Sequence, residues 1–501
     1  MPGLTVYGKN GIVVSQNYLA SMAGIKILEN GGNAFDAALT VSSVLSVTIP
    51  YSGGLGGDGF ILASTPEGII GYNGSGSAPS GFDEKEYINI APIRGPLTIT
   101  IPGLVDLWKW VYDKYCTKGL EELLSYAISL AINGFPVNDD LARAVEGSKS
   151  ILSSYQSWNK LFGNLKVKDW FVQRDLGEIL KRIAKFGPEE FYKGETAREL
   201  VESLKAQDVP IDVRDLRVHK GEPVRPLRSK YRDYDIYELP PNTQGITTIE
   251  LLSMIEETNA DKLDFYDPHR LLLQLKIAGL SYEDRDKFIG DPRFSQIPVE
   301  KLLSKDYIKD RINQGLKSGK LESADTTFFA VADNFGNIVG FIQSLFYPFG
   351  SGIVAKGIPF QNRGAGFAKS LSLPNRPGKG RRPLHTLSVL FAEKGERKLM
   401  IGCAGGDLRP QIHSEILENI IAYNMNIAKA VDAPRFMLTR WNQYPEGIIE
   451  GRFQSFKTND IKIEILPYYS NAVGIANVIE YSRGIYAATA DPRSEGIPLA
   501  R

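Results

Sequence analysis

A chain of 501 residues with 43% hydrophobic and 23% charged residues has the make-up of a folded globular protein, long enough for one large or two ordinary domains. Lysine plus arginine and aspartate plus glutamate both total 58, so overall charge gives no pull toward nucleic acid or an anionic membrane. With only Cys116 and Cys403 there is no disulfide framework.

In chain order, the stretch Met1–Tyr7 lacks a basic segment followed by an apolar core, so a cytoplasmic location is expected. Residues 17–48 predict two helices, the first with Leu19, Met22, Ala23 and Ile27 at helical spacing and ended by Gly31-Gly32. The second begins at Asn33-Ala-Phe-Asp. A glycine-rich turn at 51–59 leads into a strand at 60–64, and residues 105–205 read as mainly helical, broken at Gly134-Phe-Pro136 and Gly187-Pro188. Residues 313–325 are polar and glycine-containing, the pattern of an exposed connector. Thr327-Phe-Phe-Ala-Val then reads as a strand, 333–337 as a turn and 338–345 as a second strand. A later strand at 399–403 ends at Ala404-Gly-Gly, before a helix from about Gln411.

Several signals carry no chemistry. Gly54-Leu-Gly-Gly-Asp-Gly59 matches G-x-G-x-x-G, but a helix precedes it and a strand follows, the reverse of a dinucleotide site. His219, His269, His385 and His413 are scattered and no metal-ligand spacing is present, so neither metal nor cofactor is expected. Arg376, Lys379, Arg381 and Arg382 read as a solvated loop, and Asp284-Arg-Asp286 on a helix as a surface or capping ion cluster.

The seam before Thr326 admits one specific mechanism beside the plain reading of a loop meeting a strand. If the Asp325–Thr326 bond were cut, the hydroxyl of Thr326 and a new α-amino group would share one residue. An α-amino group titrates at about 7.7–8.0 in model compounds, so it can serve as a local base without histidine.

A series of segments resembles the γ-glutamyltranspeptidase family in order along nearly the whole chain. They include Gly31-Gly-Asn-Ala-Phe-Asp-Ala-Ala, Gly53-Gly-Leu-Gly-Gly-Asp-Gly-Phe60, Leu239-Pro-Pro-Asn-Thr-Gln-Gly245, Asp325-Thr-Thr, Phe349-Gly-Ser-Gly352, Gly405-Gly406, Asp432-Ala-Pro-Arg-Phe436 and Asp491-Pro-Arg493. The resemblance implies an α+β, N-terminal-nucleophile hydrolase fold: a four-layer αββα sandwich of two stacked antiparallel sheets. It implies self-cleavage into a large subunit, 1–325, and a small subunit, 326–501, intertwined in one structural domain. Thr326 would attack an amide and pass the acyl group to water or an amine. Thr327 and Ser344 match positions that orient the nucleophile, and Gly405 and Gly406 match the pair whose N–H groups face the oxyanion. A tight strand-to-helix turn would use the same two glycines.

The sequence departs from the family where a glutamyl head group is recognised. The segment Asn73-Gly-Ser-Gly-Ser-Ala-Pro79, containing Ser75, lacks the family's arginine, and Phe346 and Gly366 stand where an asparagine and an acidic residue are expected. His385-Thr386 replaces a serine pair, and only a short loop joins Phe367 to Arg382, so the lid insertion is absent. Asn362, Arg363, His385, Thr386 and Ser75 are the candidate substrate contacts. Arg363 could bind a carboxylate bidentately or form a structural ion pair. The expected partners are a small amide, of γ-glutamyl or another acyl type as in cephalosporin acylases, and water or an amine, with no nucleic acid and no membrane. Assembly of the two-subunit unit into a homo-oligomer is left open. A chain that stays uncut and binds without turnover is the remaining alternative.

Overall fold

The computed structural model describes residues 3–322, 324–441, 445–451 and 461–501. Two seven-stranded antiparallel sheets lie face to face. The first runs Ile497–Ala500, Gly11–Ser15, Asp325–Asp333, Ile338–Phe346, Asp58–Thr65, Gly68–Asn73, Glu222–Val224. The second runs Thr5–Gly8, Ile485–Ala490, Ile475–Ser482, Arg397–Ala404, Leu390–Lys394, Tyr234–Glu238, Leu227–Tyr231. Each sheet takes strands from before and after residue 325, so the two segments share both sheets.

Side-chain alternation explains the layering. Along Asp325–Asp333, Phe328, Ala330 and Ala332 face the second sheet, while Phe329 and Val331 face the helices. Its neighbour repeats the pattern, with Ile338 and Ile342 inward and Val339 and Phe341 on the helical side. Both faces of these strands are covered, which is why they read as almost unbroken apolar runs. Tyr18–Glu29, Ala34–Thr48 and Leu104–Tyr115 pack on the first sheet, with Leu120–Asn133 behind Ala34–Thr48; Gly245–Glu257 and Arg409–Ile421 cover the second, with Pro268–Phe288 against Gly245–Glu257. The Ala34–Thr48 helix is buried along its entire length. Its start is fixed by a reciprocal cap: the Asn33 side chain accepts from Phe35 and Asp36 N–H, and the Asp36 carboxylate accepts from Asn33 N–H.

Three expectations need correction. The connector is exposed along most of its length, as at Lys320 and Glu322, but Gly319–Lys320 pairs with Phe436–Trp441, Leu321 and Ala324 are buried, and the strand starts at Asp325 rather than Thr327. Asp284 and Arg285 are buried, because they face a network in which Arg311 meets Asp284 at 3.0 Å and Arg285 meets Asp407 at 2.7 Å. Arg381 and Arg382 are buried as well; the first lies 4.4 Å from the Phe294 ring centroid, and the second pairs with Glu222 and donates to Lys220 O.

The sheets touch closely near the candidate nucleophile. A Cβ on Gly402 would fall 2.3 Å from Cδ2 of Phe328, two residues after Thr326. Gly402→Ala is therefore expected to lower stability by about 1–3 kcal/mol through overpacking, read from the urea midpoint. An unchanged midpoint would show that the sheets can separate at this point.

Candidate active site

Thr326 sits where the pairing of two inner strands goes out of step. Asp325 pairs with Phe346 and Thr327 with Gln343, so Thr326 faces both Ser344 and Leu345. Phe346 takes up the mismatch with a positive φ of 83°, costly for a residue with a Cβ, and its N–H donates to Ser344 Oγ at 2.8 Å. Continued from Thr327 and Gln343, the in-step register sets Ser344 opposite Thr326, with both side chains on one face. Thr326 Oγ1 lies 2.6 Å from the Asp325 carbonyl oxygen and 3.2 Å from Ser344 Oγ, and Ser344 Oγ donates to that same carbonyl at 2.8 Å. Three oxygens thus converge on the Asp325–Thr326 peptide bond. Thr326, Thr327 and Ser344 are fully buried. The Thr327 hydroxyl is buried with no hydrogen-bond partner among the described residues.

Gly405 and Gly406 end the Arg397–Ala404 strand with φ of 150° and 56°. A Cβ on Gly406 would lie 2.5 Å from Ala324 N, so the residues just before Asp325 lie directly against this turn. They are held there by a reciprocal pair: Glu322 N–H donates to the Asp407 carboxylate at 2.9 Å and Asp407 N–H to Glu322 O at 3.1 Å. Gln244, from the Leu239–Gly245 segment, ties the turn to the candidate substrate contacts by donating to Gly406 O and Thr386 O. A cavity of about 280 Å³ borders Ser52, Asp325 and Gly405 on the other side, with Asp140 and Arg143 also in its lining.

The candidate substrate residues divide into two groups. Asn362 and Ser75 spend their polar atoms on the framework: Asn362 accepts from Tyr347 N–H and donates to Ile93 O, and Ser75 donates to Asn73 Oδ1. Arg363, His385 and Thr386 form a polar centre around one charged group, the Arg363 guanidinium. Arg363 donates to Thr386 Oγ1 at 3.1 Å and stacks 4.0 Å from the Phe346 ring centroid, yet its Nε and Nη2 are buried with no partner among the described residues. Burial pushes its guanidinium down to about 9, with Asp58 acting in the opposite sense.

Asp58 was missed by reasoning from sequence, because it lay inside a glycine motif read as backbone. It pairs in register with Ser344, and its carboxylate accepts from Gly76 N–H, Gly103 N–H and Gln361 Nε2. His385 Nδ1 accepts from Leu387 N–H, so Nε2 carries the proton and donates to Asp58 at 3.0 Å. Burial and the nearby Arg363, Arg409 and Arg382 hold His385 far below its usual range, while burial lifts Asp58 to about 7. Arg409, also missed, opens the helix after the glycine pair; it donates to Cys403 O, and both terminal nitrogens are buried with no partner among the described residues. An arginine just past Gly405-Gly406 was the available signal. Two buried guanidiniums with spare donors make an anion-binding centre chemically favourable.

Two stacked antiparallel sheets between helical layers, with a threonine near the head of an inner strand, define an N-terminal-nucleophile hydrolase fold. The chain belongs to the γ-glutamyltranspeptidase family, whose sequence profile matches residues 20–500, and it is an enzyme of that family. It is 36% identical to the glutathione hydrolase-like YwrD proenzyme of Bacillus subtilis (strain 168), over 98% of each chain. It is 30% identical to the oxamate amidohydrolase proenzyme of Klebsiella pneumoniae, covering 97% of this chain and 98% of that one. Among solved structures it resembles cephalosporin acylase from Bacillus halodurans, at 29% identity and a TM-score of 0.91, covering 99% of this chain and 97% of that one.

The unpartnered donors of Arg363 separate its two readings. A side chain held for structure stabilises the fold, whereas one kept for ligand burdens it. Arg363→Met should leave the melting temperature unchanged or higher. A fall of several degrees would instead mark a structural role.

Proposed function

We propose that the chain is made as a precursor that cuts itself between Asp325 and Thr326, and that the freed threonine then cleaves small amides through an acyl-enzyme. The observation that carries this reading is the convergence of Thr326 Oγ1, Ser344 Oγ and the Asp325 carbonyl oxygen within 3.2 Å. In the precursor, Thr326 Oγ1 attacks the carbonyl carbon of Asp325, Ser344 donates to the developing oxyanion, and the acyl chain moves from nitrogen to oxygen. Water hydrolyses the ester and leaves Thr326 with a free amine, the base for later turnovers. Departure of residues 322–325 then uncovers the Gly405-Gly406 turn, whose N–H groups serve the oxyanion of the amide reaction. Losing one such donor costs about 2.7–4 kcal/mol of transition-state stabilisation.

Arg363, Thr386 and Arg409 give the acyl pocket a preference for an anionic head group. The pocket has no acidic side chain at Gly366 to meet an α-ammonium group, so free γ-glutamyl compounds fit it poorly. The names of the relatives fit a site that kept its bond-breaking centre and changed its acyl pocket. A second reading, an acylase for larger acyl groups, draws on the likeness to cephalosporin acylase along the whole chain.

The test is acid quenching during turnover of a panel of carboxylated and uncharged anilides, followed by mass analysis of the fragment starting at Thr326. An acyl adduct on that fragment, formed best from carboxylated anilides without an α-amino group, is expected, together with weak glutathione turnover. Preference for uncharged bulky acyl groups would favour the acylase reading. Ser344→Ala should slow self-cleavage by roughly 10²–10³-fold. An unchanged rate would remove Ser344 from the mechanism.

A further inference from the structure

Self-cleavage by an N-to-O shift needs two proton movements: the hydroxyl must lose a proton and the departing nitrogen must gain one. Among the described residues, no histidine, lysine or cysteine hydrogen-bonds the Asp325–Thr326 bond. One titratable group does, and it belongs to the residue being cut. The Asp325 carboxylate accepts the Thr326 N–H at 2.8 Å through Oδ1. Ser52 Oγ fixes the same oxygen from the glycine turn at 2.6 Å. The nitrogen and Oγ1 belong to one threonine, so the carboxylate at the nitrogen lies near the hydroxyl, which in the resting arrangement bonds the Asp325 carbonyl oxygen.

We propose that the Asp325 carboxylate is the proton carrier of self-cleavage, moving the proton of Thr326 Oγ1 to Thr326 N, with Ser52 as its positioning residue. The proposal rests on the self-cleavage reading and assigns to Asp325 a step that the three-oxygen cluster leaves unassigned. The balance closes without another reactant. The ionised carboxylate takes the hydroxyl proton as the Oγ1–C bond forms and the carbonyl oxygen becomes an oxyanion held by Ser344. The resulting carboxylic acid gives that proton to nitrogen as the C–N bond breaks and the carbonyl re-forms. Ester and amine are left, and the carboxylate is regenerated. Water then splits the ester, and Asp325 becomes the free end of the large subunit, its task complete.

The surroundings make the step pH-sensitive. Burial raises the Asp325 carboxyl to about 6, against the Ser52 and Thr326 hydrogen bonds that lower it, and Asp140 adds a smaller push upward. Asp140 and Arg143 come from the Asp139–Leu152 helix and pair at 2.7 Å, so the arginine charge is largely answered there. Tyr51 from the glycine turn and Glu495 from the C-terminal turn complete the charged and titratable groups on this side. Since the ionised form starts the reaction, the rate should rise with pH through about 6 and level off above it. Removing the Ser52 hydroxyl removes a bond that favours ionisation, so the rising limb should move to higher pH.

The cavity beside Asp325 allows a direct test. Freshly made full-length wild type, Asp325→Ala and Ser52→Ala are followed by intact mass against pH, with and without added formate. The expected result is a wild-type rate that climbs through about pH 6 and an Asp325→Ala rate at least about 10²-fold lower. Formate, a carboxylate small enough for the vacated space, should restore cleavage of Asp325→Ala, which also excludes misfolding as the cause of its loss. Ser52→Ala should shift the limb upward. Wild-type cleavage matched by Asp325→Ala, or a slowed variant that formate leaves unchanged while Ser52→Ala keeps the wild-type pH profile, overturns the proposal and leaves the self-cleavage reading standing. A wild type uncut at every pH overturns that reading and this proposal with it.

Discussion

The mismatch between two neighbouring inner strands is the constraint on which the rest of the site depends. If Asp325–Asp333 and Ile338–Phe346 paired in perfect step, each side chain would alternate cleanly between two apolar cores. Ser344 would then stand opposite Thr326 on the same face, but Leu345 rather than Phe346 would pair with Asp325. One extra residue on the second strand, taken up by the positive φ of Phe346, moves the pairing on by one at Asp325, whose carbonyl accepts from Ser344 Oγ. The strain is local and is held by what surrounds it, since the strands are sealed by Phe328 and Ile342 on one face and Phe329 and Phe341 on the other. The same distortion turns Phe346 toward Arg363, so nucleophile and head-group pocket share one irregularity.

Electrostatics build outward from that point. Asp58, across from Ser344, carries the load of two loops through Gly76 and Gly103 and fixes His385 as a neutral donor. This leaves Arg363 and Arg409 with donors that the described residues do not use. A fold tuned for stability alone would avoid such groups, because burying an unanswered guanidinium is costly. Their persistence beside a threonine held against a carbonyl is the mark of a site arranged for a ligand.

Much of the architecture was legible in the sequence because the apolar runs and their breaks are local signals. The two helices of residues 17–48, the turn at 333–337 and the strand ending at Ala404 follow from spacing and from glycine. Thr326 stood out as a candidate nucleophile only through motif order, since Asp-Thr-Thr before a strand is unremarkable on its own. What stayed hidden are contacts across great chain separation. Ser52 meets Asp325, and Asp58 meets His385, with nothing local to announce either pair. Charge misled in the same way: Arg285 and Arg382 read as surface residues because their partners, Asp407 and Glu222, are brought to them only by the folded chain.

The central claim is that Thr326 is a nucleophile made by cutting the chain in front of it. N-terminal sequencing and intact mass of the purified protein, beside Thr326→Ala, test it most directly. The account predicts two fragments in the wild type, the second beginning Thr326-Thr327-Phe328, and one full-length chain in the variant. A single uncut chain in both, or a cut at the same bond in both, would contradict it.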